Sequence, residues 1–478
     1  PSALDAGLIW TGSDDGLAHV TRDGGRTWTN ITPPGLPKFA RISLIDASRL
    51  DAGTAYLAAK AYQLDDRSPY IYRTHDFGRT WTKIVGGIRG DDYVHAVRAD
   101  PTRRGLLYAG TEHGIYVSWD DGASWRSLSL GLPDVQVSDI TVEKNDLVIA
   151  THGRSMYVLD DIQPIRAWRA EAAASPALRV LPLRVATRSV EEAAIHYTLA
   201  RPADTVKVEI LDAAGKVIRT FTGGGTARAD SAKTPAATPS DTIVSPTGCE
   251  TSRRRSGAAK PSGQAGLNRF TWDLRYPGSS TFDCLILWSA SPEQGPIAVP
   301  GNYRVRVTAN GASETQPLVV RMDPRLTGVT FADLREQFDF AIKVRDRVTA
   351  ANDAVLRSRR LRSQIAERRA KSSDAALVAA ADSATNALRR VEEALYQTKN
   401  RSGQDPLNFP IKLNNRIAAV GRSVQSGDAR PTAAAYVVLK ELSAELDVEL
   451  RKLDRVLAGE LAAFERSAAS NGLTRLIQ

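Results

Sequence analysis

The chain is 478 residues long, 42% hydrophobic and 24% charged, ordinary globular usage and enough for about three domains. Lysine and arginine exceed the acids by 63 to 54, a net charge of +9 that tolerates anionic partners. No basic run is interleaved with aromatics, so a nucleic-acid partner is not expected. Two cysteines without a CxxC or a Cys/His cluster argue against a zinc site, no cofactor is expected, and no run approaches the ~18 apolar residues of a transmembrane segment.

Residues 1–165 read as short β-branched and aromatic strands separated by turns. One unit runs Ile42–Ile45, Ala55–Ala59, Tyr70–Arg73 and Trp81–Val85; the next runs Val94–Val97, Leu106–Gly110, Gly114–Ser118 and Trp125–Leu128. Between the third and fourth strands lies an octapeptide, [Ser/Thr]-x-Asp-x-Gly-x-[Ser/Thr]-Trp, present as Thr21–Trp28, Thr74–Trp81 and Ser118–Trp125. Its spacing of roughly 45 to 55 residues is that of propeller blades of four strands. Asp23, Asp76 and Asp120 are expected to accept hydrogen bonds within their own turns. Gly25, Gly78 and Gly122 supply a positive φ, and Trp28, Trp81 and Trp125 bury against a neighbouring sheet. The first unit, from Leu8, and the last, Val137 to Leu159, show three strands each. The expectation is a partial propeller of about four blades, completed by further blades from the same precursor or from another chain, because an open arc exposes edges and apolar faces.

The loops between second and third strands, and between successive blades, gather at one mouth of a propeller. They carry Asp15, Asp66, Glu112, His113, His152 and Arg154, with Arg89, Asp91, Asp92 and Asp134 from the blade-to-blade loops. Asp15, Asp66, Asp92 and Glu112 are candidate catalytic carboxyls for glycoside hydrolysis. His113, His152, Arg154, Arg89 and Asp91 are candidate ligand-binding residues. Tight hairpins favour the same Asp-Gly and His-Gly residues for their own sake.

Residues 166–326 offer about seven alternating strands, from Leu178 to Met322, and predict an Ig-like β-sandwich. Asp212–Gly215 makes a hairpin turn and Pro300-Gly301 introduces a strand. Residues 223–266, rich in Thr, Ala, Ser, Pro and Gly, read as a flexible insertion containing Arg253–Arg255. Cys249 and Cys284 are a candidate disulfide. From 327 to 478 the period becomes helical. Thr330 and Asp333 resemble a capping box, Pro431 suits a first helical turn, and seams at Leu334–Val355, Leu377–Leu395, Ile411–Val424 and Leu439–Phe464 predict a four-helix bundle.

The octapeptide resembles the Asp-box, or bacterial neuraminidase repeat, of sialidases, xyloglucanase-type glycosidases, the sortilin luminal domain and a photosystem II assembly factor. Leu64–Tyr72, Thr151–Asp161, Gly266–Pro277 and Ile411–Asn415 are similar to segments of a large bacterial family known both as glycosyl hydrolases and as sortilin-like repeat proteins. That resemblance implies a longer exported protein (secreted, periplasmic or at the cell surface), of which this chain is the C-terminal part. The start at Pro1, without methionine, fits a mature or truncated product. The resemblance implies no proven reaction. The arginine triad and tyrosine nucleophile of sialidases do not map onto these residues. Two functions follow as expectations: a binding or assembly module for a protein, peptide or glycan, and, as the alternative, a glycoside hydrolase with its acids at the mouth.

Overall fold

The computed structural model describes residues 1–167, 176–225, 242–244, 250–252 and 260–477. It divides into two compact units, Pro1–Ala174 and Ser175–Gln478. Arg253–Arg255, Cys249 and most of the Thr/Ala/Pro-rich segment lie outside the described residues.

The first unit is a series of four antiparallel meanders. Sheet one holds β1 (Ile9–Gly12), β2 (Ala18–Thr21) and β3 (Thr29–Asn30). Sheet two holds β4 (Arg41–Ala47), β5 (Ala55–Ala61), β6 (Asp66–Thr74) and β7 (Thr82–Lys83). Sheet three holds β8 (Val94–Ala99), β9 (Leu107–Thr111), β10 (Gly114–Ser118) and β11 (Arg126–Ser127), and sheet four holds β12 (Val137–Glu143), β13 (Asp146–Thr151) and β14 (Met156–Leu159). A short helix, α1 (Gln163–Ala167), follows.

Adjacent sheets share apolar cores. Trp10, Val20, Ile42 and Leu57 join sheets one and two; Tyr56, Ile71, Val97 and Trp125 join two and three; Tyr108, Ile115, Ile140 and Ile149 join three and four. This stacking explains the composition of β5. A sheet lies on each of its faces, so six of its seven residues are buried and it reads as a continuous apolar run instead of alternating. The last strand, β14, exposes Met156 and Val158.

The second unit begins with two facing sheets. One is β15 (Leu178–Val180), β17 (Ala193–Leu199) and β22 (Gly266–Trp272). The other, in spatial order, is β16 (Ala186–Thr187), β26 (Ala312–Arg321), β25 (Gly301–Ala309), β18 (Val206–Leu211) and β19 (Val217–Gly223), with β16 parallel to β26. Alternate residues of both, among them Ile195, Tyr197, Val208, Val305 and Trp272, fill one core. Asp212 closes the β18–β19 turn by accepting from the Lys216 amide at 2.9 Å. Two further antiparallel pairs are β20 (Thr242–Val244) with β21 (Glu250–Ser252) and the hairpin β23 (Arg275–Pro277) with β24 (Gln294–Ile297). Cys284 is disulfide-bonded; Cys249, its expected partner, is not among the described residues.

The helices are α2 (Phe331–Arg369), α3 (Ala375–Leu395), α4 (Leu413–Val424), α5 (Ala433–Val456) and α6 (Ala462–Ser470), the last two joined by a π-helical turn. Thr330 and Asp333 cap α2 reciprocally: the Asp333 amide donates to Thr330 Oγ1 at 3.2 Å and the Thr330 amide to Asp333 Oδ2 at 2.9 Å. At α5 the expected first-turn role of Pro431 is corrected. Thr432 is the N-cap, accepting from the Ala435 amide, so the proline precedes the helix. The fully buried Arg188 ties the β part to the helical part, donating to Ala298 O at 3.0 Å and Gln337 Oε1 at 2.7 Å and pairing with Asp428. No helix among the described residues is long and apolar enough to cross a membrane.

Candidate functional site

Each octapeptide builds its turn from its own side chains. In the first, Thr21 Oγ1 donates to Asp23 Oδ1 at 2.8 Å and accepts the Gly25 amide at 3.0 Å. Asp23 in turn accepts the Thr27 amide at 2.9 Å and the Thr27 hydroxyl at 2.7 Å. Thr74, Asp76, Gly78 and Thr80 repeat these bonds, as do Ser118, Asp120, Gly122 and Ser124. The hydroxyl and amide of Thr27, and likewise of Thr80, hold the Asp23 and Asp76 carboxyls down at about 2. All the donors belong to the turn, so these aspartates are occupied as structural anions.

The tryptophans differ. Trp81 Nε1 donates to Ile31 O at 2.6 Å and Trp125 Nε1 to Ile84 O at 2.8 Å. Ile31 and Ile84 each follow the last strand of the preceding sheet. Gly78 and Gly122 face the same isoleucines, so closely that a Cβ would come within 2.7 and 2.4 Å of their side chains. Trp28 lacks such a neighbour and is 44% exposed, against 3% for Trp125. The expectation that all three bury against a sheet is therefore corrected for Trp28, because no described sheet precedes sheet one.

The loops at the opposite hairpin ends bring only some of the candidates together. Arg89, Asp91, Asp92, Glu112 and His113 gather beside β8–β10. Arg89 pairs with Asp91 at 2.9 Å. Asp92, fully buried, accepts the His113 amide at 3.0 Å and the Tyr116 hydroxyl at 3.1 Å. His113 Nδ1 meets Asp134 Oδ1 at 2.8 Å. Asp15 is bound into its own turn by Ser13 and the Leu17 amide; the Ser13 hydroxyl holds its carboxyl below the usual range. Asp66 accepts from the Tyr70 hydroxyl at 2.5 Å and the Ser68 amide at 2.9 Å. Burial works to raise its carboxyl, but these donors outweigh it and leave it lowered. His152 and Arg154 are exposed, with the His152 amide on Gln136 O.

The residues that sequence reasoning missed sit against Glu112. Lys60 Nζ, on β5, lies 3.1 Å from His95 Nδ1, and His95 Nε2, on β8, lies 3.0 Å from Glu112 Oε2. An ammonium can only donate, so Nδ1 accepts and the imidazole proton sits on Nε2, directed at the carboxylate. Burial keeps His95 below its ordinary value and so neutral, and burial followed by Arg41 lowers Lys60. Above the relay Tyr62 and Tyr93 stack with ring centroids 4.9 Å apart and 17° between planes. Tyr62 is exposed. Burial, and next the Glu112 carboxylate, push the Tyr93 hydroxyl up to about 12. Lys60 and His95 fall inside apolar strand segments, and only the pairing of β5 with β6 and β8 with β9, together with packing of β5 on β8, juxtaposes them. A second polar group crosses three first strands: Arg98 on β8 pairs with Asp46 on β4 at 3.2 Å and with Asp139 on β12 at 3.1 Å. Burial raises the Asp46 carboxyl. Among the described residues no cluster of ligands fit for a metal ion occurs.

Antiparallel meanders that pack in series through apolar faces are the construction of propeller proteins. No protein-family model matches the chain. Over 107 residues it is 32% identical to the oligoxyloglucan-reducing end-specific xyloglucanase of Emericella nidulans; the aligned part is 22% of this chain and 13% of that enzyme, so the chain spans a small part of this relative's length. Similar solved structures include YCF48 bound to D1 peptide, at 14% identity and TM-score 0.27 over 46% of this chain and 67% of that one. An ancestral GH74 enzyme also matches, at 14% identity and TM-score 0.28 over 46% and 31%.

Proposed function

We propose that this chain is part of an exported Asp-box propeller that works as a binding or assembly module, with a protein, peptide or glycan as its ligand. The observation that carries the reading is the Tyr62–Tyr93 stack, exposed at Tyr62 and half-buried at Tyr93, over the Lys60–His95–Glu112 relay. Stacked rings offer a rigid apolar face, and the relay beneath offers a fixed donor–acceptor row; a ligand docks there with little loss of side-chain freedom. The exposed Trp28 supports the assembly half of the reading: it is the place for a further sheet that ends, like sheets one and two, in an aliphatic residue with a free carbonyl.

The second reading, a glycoside hydrolase, draws on the match to the xyloglucanase. That reaction needs one carboxyl that keeps its proton to protonate the leaving group. Asp15 and Asp66 instead are held below the usual carboxyl range by hydroxyl and amide donors, while Asp92 and Glu112 are already engaged by the His113 amide and the His95 imidazole. The test is direct. Peptide and glycan arrays probed with the chain should give ligands whose binding falls at least tenfold in Tyr62→Ala and Tyr93→Ala, while xyloglucan oligosaccharides and sialosides stay intact. Release of reducing ends that disappears in Glu112→Gln would replace this reading with the hydrolase.

A further inference from the structure

A second site lies in the unit from Ser175 to Gln478, at the junction of its β and helical parts. A cleft of about 530 Å³ opens between the β23–β24 hairpin and helices α2 and α4, within the ~300–1,000 Å³ of small-molecule sites. Its helical wall includes an apolar strip, Val344 and Val348 from α2 and Ala418 from α4. Gly421 lets α4 close onto α2 here, since a Cβ would stand 3.0 Å from Val344 Cγ1.

Three arginines reach the same cleft, and no carboxylate lines it. Arg275, on β23, is held by one carbonyl, donating from Nη1 to Gly295 O at 2.9 Å, and burial lowers its affinity for its proton. Arg345 is steadied by Asp346, its chain neighbour, at 2.6 Å. Arg422 forms no ion pair or side-chain hydrogen bond among the described residues. Gln425, at the end of α4, also lines the cleft, and its Oε1 is buried without a donor. Buried acceptors are rarely left in that state. The arrangement thus leaves two needs unmet: a negative charge for Arg422, since Asp346 pairs with Arg345 and Asp273 acts on Arg275 from outside the cleft lining, and a hydroxyl or N–H to meet Gln425 Oε1.

The geometry points to a binding site for a small organic oxyanion, a carboxylate or a phosphate monoester, that also carries a hydroxyl. Guanidinium groups engage both oxyanions through paired N–H donors. The carbon body of the ligand lies along Val344, Val348 and Ala418. The site shares no residue with the tyrosine stack and stands or falls independently of the function proposed above.

Isothermal titration of the whole chain with citrate and with glycerol 3-phosphate tests this assignment. Both probes have an oxyanion and a hydroxyl, and whichever binds more tightly tells the carboxylate source from the phosphate source. The expected result is saturable binding of at least one probe, weakened at least tenfold in Arg422→Gln, with the thermal midpoint of the ligand-free variant unchanged. Arg451→Gln, an exposed arginine on α5 away from the cleft, should bind as the parent does. Equal loss in the two variants would reduce the effect to net charge and overturn the assignment, as would no saturable binding of either probe.

Discussion

In the first octapeptide Asp23 accepts from Thr27 through amide and hydroxyl at 2.9 and 2.7 Å; in the third Asp120 accepts from Ser124 the same way at 2.9 and 2.5 Å. Inside the turn the two are alike. Outside it they part: Trp125 is sealed between sheets two and three and bonds Ile84 O, while Trp28 stands in solvent. The comparison separates two jobs within one motif. The aspartate closes a local hydrogen-bonded loop and needs nothing else, whereas the glycine and tryptophan form a socket that works only when another sheet fills it.

The sharpest way to break this comparison is to delete the rings. Trp125→Ala removes a large side chain from a core and should destabilise the first unit by about 3–5 kcal/mol, read as a lower urea midpoint by circular dichroism. A loss below about 1 kcal/mol would show that the socket contributes little. Next comes the glycine. Gly122→Ala adds a Cβ 2.4 Å from Ile84 Cδ1 at a φ of +85°, so overpacking of roughly 1–3 kcal/mol joins the backbone strain. Gly25→Ala, at φ +95° with nothing nearer than the Trp28 ring at 3.9 Å, should show the strain alone, about 1 kcal/mol. Equal losses in the two would sink the idea of a filled and an empty socket. Trp28→Ala should change stability by no more than about 0.5 kcal/mol in this chain, and by far more once a further sheet is bound.

The aspartates should not distinguish filled from empty. Asp23 and Asp76 are both lowered from 3.8 to about 2. Their contribution is complete above the unfolded value and fades as pH falls from 3.8 toward 2. Asp23→Asn and Asp76→Asn should therefore flatten the acid branch of the stability curve by similar amounts. A clear difference between them, seen in unfolding curves at stepped pH, would mean that the neighbouring sheet reaches the carboxylate after all.

Local features were legible because their partners are close in sequence. The octapeptide bonds span four residues, the α2 capping box three, and the Asp212 turn four. The candidate site was legible only in part. Glu112, His113 and Asp92 were visible as ionisable residues in turns, but Asp15 and Asp66 looked equivalent to them and are absorbed by their own hairpins. Lys60 and His95 carried no signal, since a lysine or histidine within an apolar strand reads as a solvated position. β16, too short to show a period, escaped as well, and its parallel pairing with β26 joins positions more than a hundred residues apart.

The sequence by itself determined the repeating hairpin units, the chemistry of their turns, the shift from β to helical sequence and the cap of α2. Each of these is a bargain between residues a few positions apart, decided by hydrogen-bond reach and apolar period. Tertiary structure alone decided which tryptophan is covered, which acids meet partners outside their own turns, and where Lys60, His95 and Glu112, or Arg275, Arg345 and Arg422, come together. Those outcomes depend on which strand and helix faces pack together, and residues tens of positions apart in the chain carry no mark of that packing until it has formed.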